Sequence, residues 1–165
     1  MVWKALIIAF VMAAAYADVR TRRIPRGLTM TGLVVGLLFH AVRGGFANAL
    51  LAAGVAFVIG LALFSVGAIG GGDVKLLAAL GAMLGLFYWG RAMSIAILVA
   101  ALMAVIEVIR HGVLMQTLRN MWEICRSLAA NRLRPHPVLN VRNAAALRSP
   151  FGVAAAVGTI FAIIR

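Results

Sequence analysis

Residues 69–81 read Ile-Gly-Gly-Gly-Asp-Val-Lys-Leu-Leu-Ala-Ala-Leu-Gly, which sets a carboxylate between a glycine run and a long apolar stretch. Only four of the 165 residues are acidic, and Asp73 in this stretch and Asp18 are the only aspartates. Asp18 closes the apolar run of residues 5–17. An aspartate at the centre of a membrane helix costs about 2.5–3.5 kcal/mol on insertion scales, so such residues usually have a function.

The composition predicts an integral membrane protein. Hydrophobic residues make up 64% of the chain and the mean hydropathy is +1.05, whereas a soluble domain is roughly 45–50% apolar. The length predicts one domain, residues 1–165. The net charge of +12 comes from basic residues between apolar spans, which indicates membrane topology, and we expect no nucleic-acid partner. A single cysteine, Cys125, excludes an internal disulfide and a cysteine-built zinc site.

Apolar segments predict an all-α fold with about six transmembrane helices. They lie at about residues 2–18, 28–42, 46–66, 74–89, 92–109 and 151–164. Two or three are shorter than the roughly 20 residues that span a bilayer, so we expect kinks or local thinning there. The spacing of Gly32 and Gly36, and of Gly81 and Gly85, suggests close helix packing.

Residues 110–150 form the one long polar connection. Their periodicity predicts an amphipathic helix at about 113–130 on the inner membrane surface, with an irregular loop after it.

Basic residues predict the orientation. If the loop at 19–27 is inside, twelve of the sixteen Lys and Arg residues lie on the inner side, which places both termini outside. Lys4 and Ala15-Tyr16-Ala17 resemble a secretory signal peptide. The arginines that follow would resist translocation, so we expect a retained first helix. Asp18 and Asp73 then lie at the same inner boundary.

Three sequence patterns together resemble type IV prepilin peptidases over essentially the whole chain. Residues 69–81 resemble the GxGD signature and the Lys-Leu-rich helix after it. Asp18 with Ile24-Pro25 resembles the first family motif, an Asp followed six to seven residues later by Ile-Pro. Ser149-Pro150-Phe151-Gly152-Val153-Ala154 is similar to the Pro-aromatic-Gly opening of the family's last helix.

Two features refine this resemblance. Arg26 stands where the family usually has Asn. The larger members also carry a cysteine-paired domain that methylates the new N-terminus, and this chain has one cysteine and no long inner loop before the second span. The resemblance is therefore to the short, peptidase-only branch associated with Flp/Tad-type pili.

The resemblance implies an aspartic endopeptidase of the bacterial cytoplasmic membrane that cuts the short basic leader from pilin-like precursors at the cytoplasmic face. Asp18 and Asp73 would be catalytic. One ionised carboxylate takes a proton from water, and the other, protonated, donates to the scissile carbonyl. Gly70 and Gly72 would let the backbone approach substrate, and we expect this run to serve as a hinge or a strand-like docking edge rather than a fixed helix cap. Lys75 is a further candidate substrate contact, although a boundary lysine also snorkels.

Other interpretations stay open at this stage. Acids in membrane helices also serve small proton- or ion-coupled transporters, and the chain could be a non-catalytic scaffold subunit of a pilus or secretion machine. Two aspartates could hold a divalent cation, but an all-protein site normally offers more oxygen ligands. The three histidines are scattered, so we expect no metal and no cofactor. The expected partners are a pilin-like precursor and membrane lipid, and the oligomeric state is left open.

Overall fold

The computed structural model describes residues 2–22, 24–113, 115, 117, 119–120, 122, 126 and 151–164. Within these residues the regular structure is helical and no strand occurs, which confirms the all-α prediction. Most of the surface helix expected at about 113–130, with Cys125, lies outside the described residues, as does the loop after it.

Five helices make up the described fold. They are α1 (Val2–Thr21), α2 (Arg26–Val42), α3 (Phe46–Ser65), α4 (Gly71–Arg110) and α5 (Phe151–Ile164). By length and composition α1, α3 and α4 could each cross a membrane, and α2 and α5 are shorter apolar helices. Six crossings therefore remain a prediction.

On α3, small residues form the contacts with neighbouring helices, and large apolar residues face outward. The buried residues of α3 are all Ala or Gly, and this helix packs on α4. A Cβ added at Gly81 of α4 would lie 2.6 Å from the carbonyl oxygen of Ala52, so the backbones touch where the glycine spacing suggested. Small residues permit such close approach in membrane bundles. Exposed side chains of α3 include Leu50, Leu51, Val58 and Leu61.

A break inside α4 lies at Gly85. We expected separate helices at 74–89 and 92–109, but the structure is helical across residues 89–92, so that boundary is wrong. Gly85 instead has φ 72° and ψ 170°, a conformation that essentially only glycine adopts. The N–H of Leu86 donates to Asn48 Oδ1 at 3.2 Å, which satisfies one of the amides that lack a partner at a helix start. Thus α4 comprises a first arm, residues 71–84, and a second arm, residues 86–110.

Contacts between α1 and α5 define the two ends of the bundle. At one end the N–H of Gly152 donates to Asp18. At the other end Lys4 Nζ donates to the carbonyl of Ile163 at 2.6 Å, so α1 and α5 are antiparallel. Trp3 lies one residue from Lys4. We call these the aspartate end and the Trp3 end.

The second arm of α4 folds back into the bundle from the Trp3 end. The ring of His40 contacts Trp3, and His40 Nε2 lies 3.3 Å from the carbonyl oxygen of Met83. Because Met83 is near the end of the first arm, that arm ends at the Trp3 end. Gly158, midway along α5, lies against Ala92 and Ala96 of the second arm. The second arm therefore runs alongside α5 toward the aspartate end.

Gly85→Ala is expected to destabilise the protein by about 1–3 kcal/mol, the cost of holding a non-glycine residue in such a conformation. Its Cβ would also lie 3.1 Å from Asn48 Nδ2. Gly90→Ala is the matched control, because a Cβ there meets nothing within 4 Å and alanine favours a helix by about 1 kcal/mol. Unfolding in mixed micelles measures both variants, and equal stabilities would contradict the assigned break.

Candidate active site

Asp18 is held by the start of α5. It lies in the last turn of α1 and only 8% of it is exposed. Its Oδ2 accepts a hydrogen bond from the N–H of Gly152 at 2.7 Å. Gly152 is the second residue of α5, where backbone amides have no partner within the helix and the helix dipole places partial positive charge. The N-terminus of α5 thus stabilises and orients the Asp18 carboxylate.

Position 152 has no room for a side chain. A Cβ added to Gly152 would lie 2.9 Å from Asp18 Cβ, 3.0 Å from Asp18 Oδ2 and 3.3 Å from the carbonyl oxygen of Ala14. The Pro-Phe-Gly pattern is visible in the sequence, but Gly152 was not among the predicted site residues. The glycine itself was the available signal, since a glycine next to a candidate acid permits close backbone approach.

Asp73 caps the helix in which it lies. It is half-buried in the first turn of α4. Its Oδ2 accepts a hydrogen bond from the N–H of Gly70, the N-cap residue, at 3.0 Å. An acid at this position satisfies an amide at the helix start and suits the positive end of the helix dipole.

The glycine run therefore forms a capped helix start. Gly71 and Gly72 are helical, and residues 66–70 are the irregular link that precedes them. The expectation that Gly70–Gly72 would be a poor helix cap is wrong, because Gly70 is the N-cap of α4. A hinge at this run stays a prediction. The Asp73 cap offsets the low helix propensity of glycine, about 1 kcal/mol per residue relative to alanine.

The link between α1 and α2 packs beside the first turn of α4, which carries Asp73. Ile24 in this link is 9% exposed. A Cβ at Gly72 would lie 3.6 Å from both Ile24 Cβ and the Ile24 backbone nitrogen, so the first turn of α4 packs beside the chain that leaves α1. The structure thus places the two aspartates, Ile24, Gly72 and Gly152 at the same end of the bundle.

The remaining candidate residues surround this centre. Gly70 is half-buried at the cap, and Lys75 is exposed on α4, near Asp73 in sequence. Arg20 and Arg26 are exposed at the same end. Among the residues that the structure describes, no group of three or more His, Cys, Asp or Glu side chains lies together to hold a metal ion.

Comparison with known proteins gives one match. A family model described as "Type IV leader peptidase family" matches residues 5–108, which include both aspartates. The matched segment ends before Gly152. No curated protein and no solved structure matches the chain.

Proposed function

The chain belongs to the type IV leader peptidase family, and on this premise we propose that it is an aspartic endopeptidase that removes the leader peptide from pilin-like precursors. The observation that carries the proposal is that the only two aspartates of the sequence lie at the same end of a membrane-type helical bundle. The match to a peptidase family supports hydrolysis over transport. The presence of both aspartates at one end of the bundle supports a peptidase over a non-catalytic scaffold.

The hydrogen bonds suit a water-activating pair of carboxylates. Each aspartate uses Oδ2 to accept from a backbone N–H, of Gly152 for Asp18 and of Gly70 for Asp73. No hydrogen bond to either Oδ1 is found among the described residues, and we propose that water and substrate bind at these two atoms. In the proposed mechanism the two carboxylates share one proton and titrate as a pair. The ionised one then removes a proton from water while the protonated one donates to the peptide carbonyl.

The proposed substrate position follows from the helices that flank the pair. The apolar helix of a precursor would lie in the bilayer beside α4, with its leader at the aspartate end. We propose that the backbone at Gly70 and Gly72 contacts the substrate here, and that exposed Lys75 donates to backbone carbonyl oxygens of the leader. We place this end at the cytoplasmic face, because Arg20 and Arg26 are exposed there and the positive-inside rule favours that orientation.

Co-expression with a pilin-like precursor from the same genome tests the function. We expect the precursor to shorten by its leader only when this protein is present, and mass spectrometry of the product to show an unmethylated new N-terminus. A precursor that keeps its leader at full expression of the folded protein would count against the proposal.

Cleavage by the purified protein is expected to be unaffected by chelators and by serine or cysteine protease reagents. The proposed chemistry uses carboxylates and water alone, and two aspartates offer fewer oxygens than a divalent cation normally requires. The measurement is the cleavage rate with and without EDTA. A rate lost in EDTA and restored by a divalent metal would overturn the metal-free mechanism.

A further inference from the structure

An apolar groove lies between α1 and α2 at the Trp3 end, far from the aspartates. Its volume is about 630 Å³, within the range of ligand pockets. Seven apolar residues and one arginine line it: Val2, Trp3, Leu6, Val35, Leu38, Phe39, Val42 and Arg43.

The groove has a rigid aromatic wall and an open side. The rings of Trp3 and Phe39 are stacked, with centroids 3.6 Å apart and planes 2° from parallel. Leu6 and Leu38 are 41% and 61% exposed, so the apolar surface is open to the surroundings of the bundle. In a membrane those surroundings are hydrocarbon, which an apolar groove accepts without loss of hydrogen bonds.

Among the described residues that line the groove, the charged one is Arg43. Arg43 follows the last residue of α2, and its Cζ lies 5.4 Å from the centroid of the Phe39 ring. A guanidinium stacked on an aromatic ring keeps its N–H donors available, and its planar fork matches the oxygens of a phosphate. Trp3 at the same level is a residue type enriched at membrane–water interfaces.

We propose that this groove binds one anionic phospholipid. The acyl chain lies along Leu6, Val35 and Leu38, and the headgroup phosphate binds Arg43. An apolar channel under one cation matches the chemistry of such a lipid, with hydrocarbon below and negative charge at the interface. The inference depends on membrane insertion and not on the proposed peptidase activity, so it can fail or stand separately.

Native mass spectrometry of the full chain with phosphatidylglycerol or phosphatidylcholine tests the proposal. We expect the wild-type protein to retain phosphatidylglycerol preferentially, and Arg43→Gln to lower that retention by about tenfold, the loss of one charge-assisted contact. Arg91→Gln is the matched control. Arg91 Cζ lies 5.9 Å from the Phe87 ring centroid, a similar arrangement that does not line this groove, so its retention should be unchanged.

A second variant fills the groove instead of changing its charge. Leu38→Trp, at a position that is 61% exposed, should displace both lipids while circular dichroism stays that of the wild type. Equal losses in Arg43→Gln and Arg91→Gln, or no preference for the anionic lipid, would overturn the proposal. The proposal would also be overturned if the protein formed a dimer that Leu38→Trp dissociates. The groove would then be occupied by a second copy of the chain and not by a lipid.

Discussion

Replacing Asp18 or Asp73 by asparagine is expected to lower the rate of leader removal by about 10²–10⁴-fold or more, the usual contribution of a general acid or base. A carboxamide neither takes a proton from water nor gives one to the peptide carbonyl. It can still accept the backbone hydrogen bonds that Gly152 and Gly70 now donate. The fold should therefore survive in both variants, and the loss should appear in the cleavage rate alone.

Glu107→Gln supplies the matched control for the two asparagine variants. Glu107 is another of the four acids, and its Oε1 lies 3.2 Å from Nε2 of His111, the exposed residue that follows α4. Such surface pairs contribute little to stability, and this one lies outside the aspartate pair. Cleavage by Glu107→Gln should match the wild type. More than a trace of cleavage by either asparagine variant, at equal membrane insertion, would remove Asp18 and Asp73 from the catalytic role.

Gly152→Ala is expected to lower kcat about 10²-fold while leaving KM nearly unchanged. The new Cβ would lie 2.9 Å from Asp18 Cβ, so the aspartate must move and lose the hydrogen bond from the amide of residue 152. A displacement of about 1 Å in a catalytic group can cost this much. Gly152 is thus a positioning residue, and the kcat effect separates this role from a general loss of folded protein.

Gly54→Ala is the control for that experiment. Gly54 lies within α3, and a Cβ there meets nothing within 4 Å. Activity should be unchanged and stability equal or slightly higher, by up to about 1 kcal/mol. A folded Gly152→Ala protein with normal kcat would show that the α5 contact does not position Asp18 for catalysis.

Local patterns were sufficient for the fold class and for the candidate acids. Hydropathy alone predicted a helical bundle, because an apolar segment that must satisfy its own backbone in lipid has little choice but a helix. Asp18 and Asp73 stood out because few acids occur in the chain and both border apolar runs. The Asp-x₅-Ile-Pro and Gly-Gly-Gly-Asp patterns then indicated the family that the match over residues 5–108 shows.

Only the tertiary structure decided which residues and helices are neighbours. The sequence placed the interruption of α4 near residue 90, but Asn48 from α3 caps a new helix at Leu86 and so moves the break to Gly85. Gly152 reaches Asp18 across 134 positions of sequence. Hydropathy reports how deep a segment lies and not which neighbour it touches. The surface of a membrane bundle is as apolar as the lipid around it. Close packing of small residues and hydrogen bonds of backbone groups therefore determine which helices are neighbours.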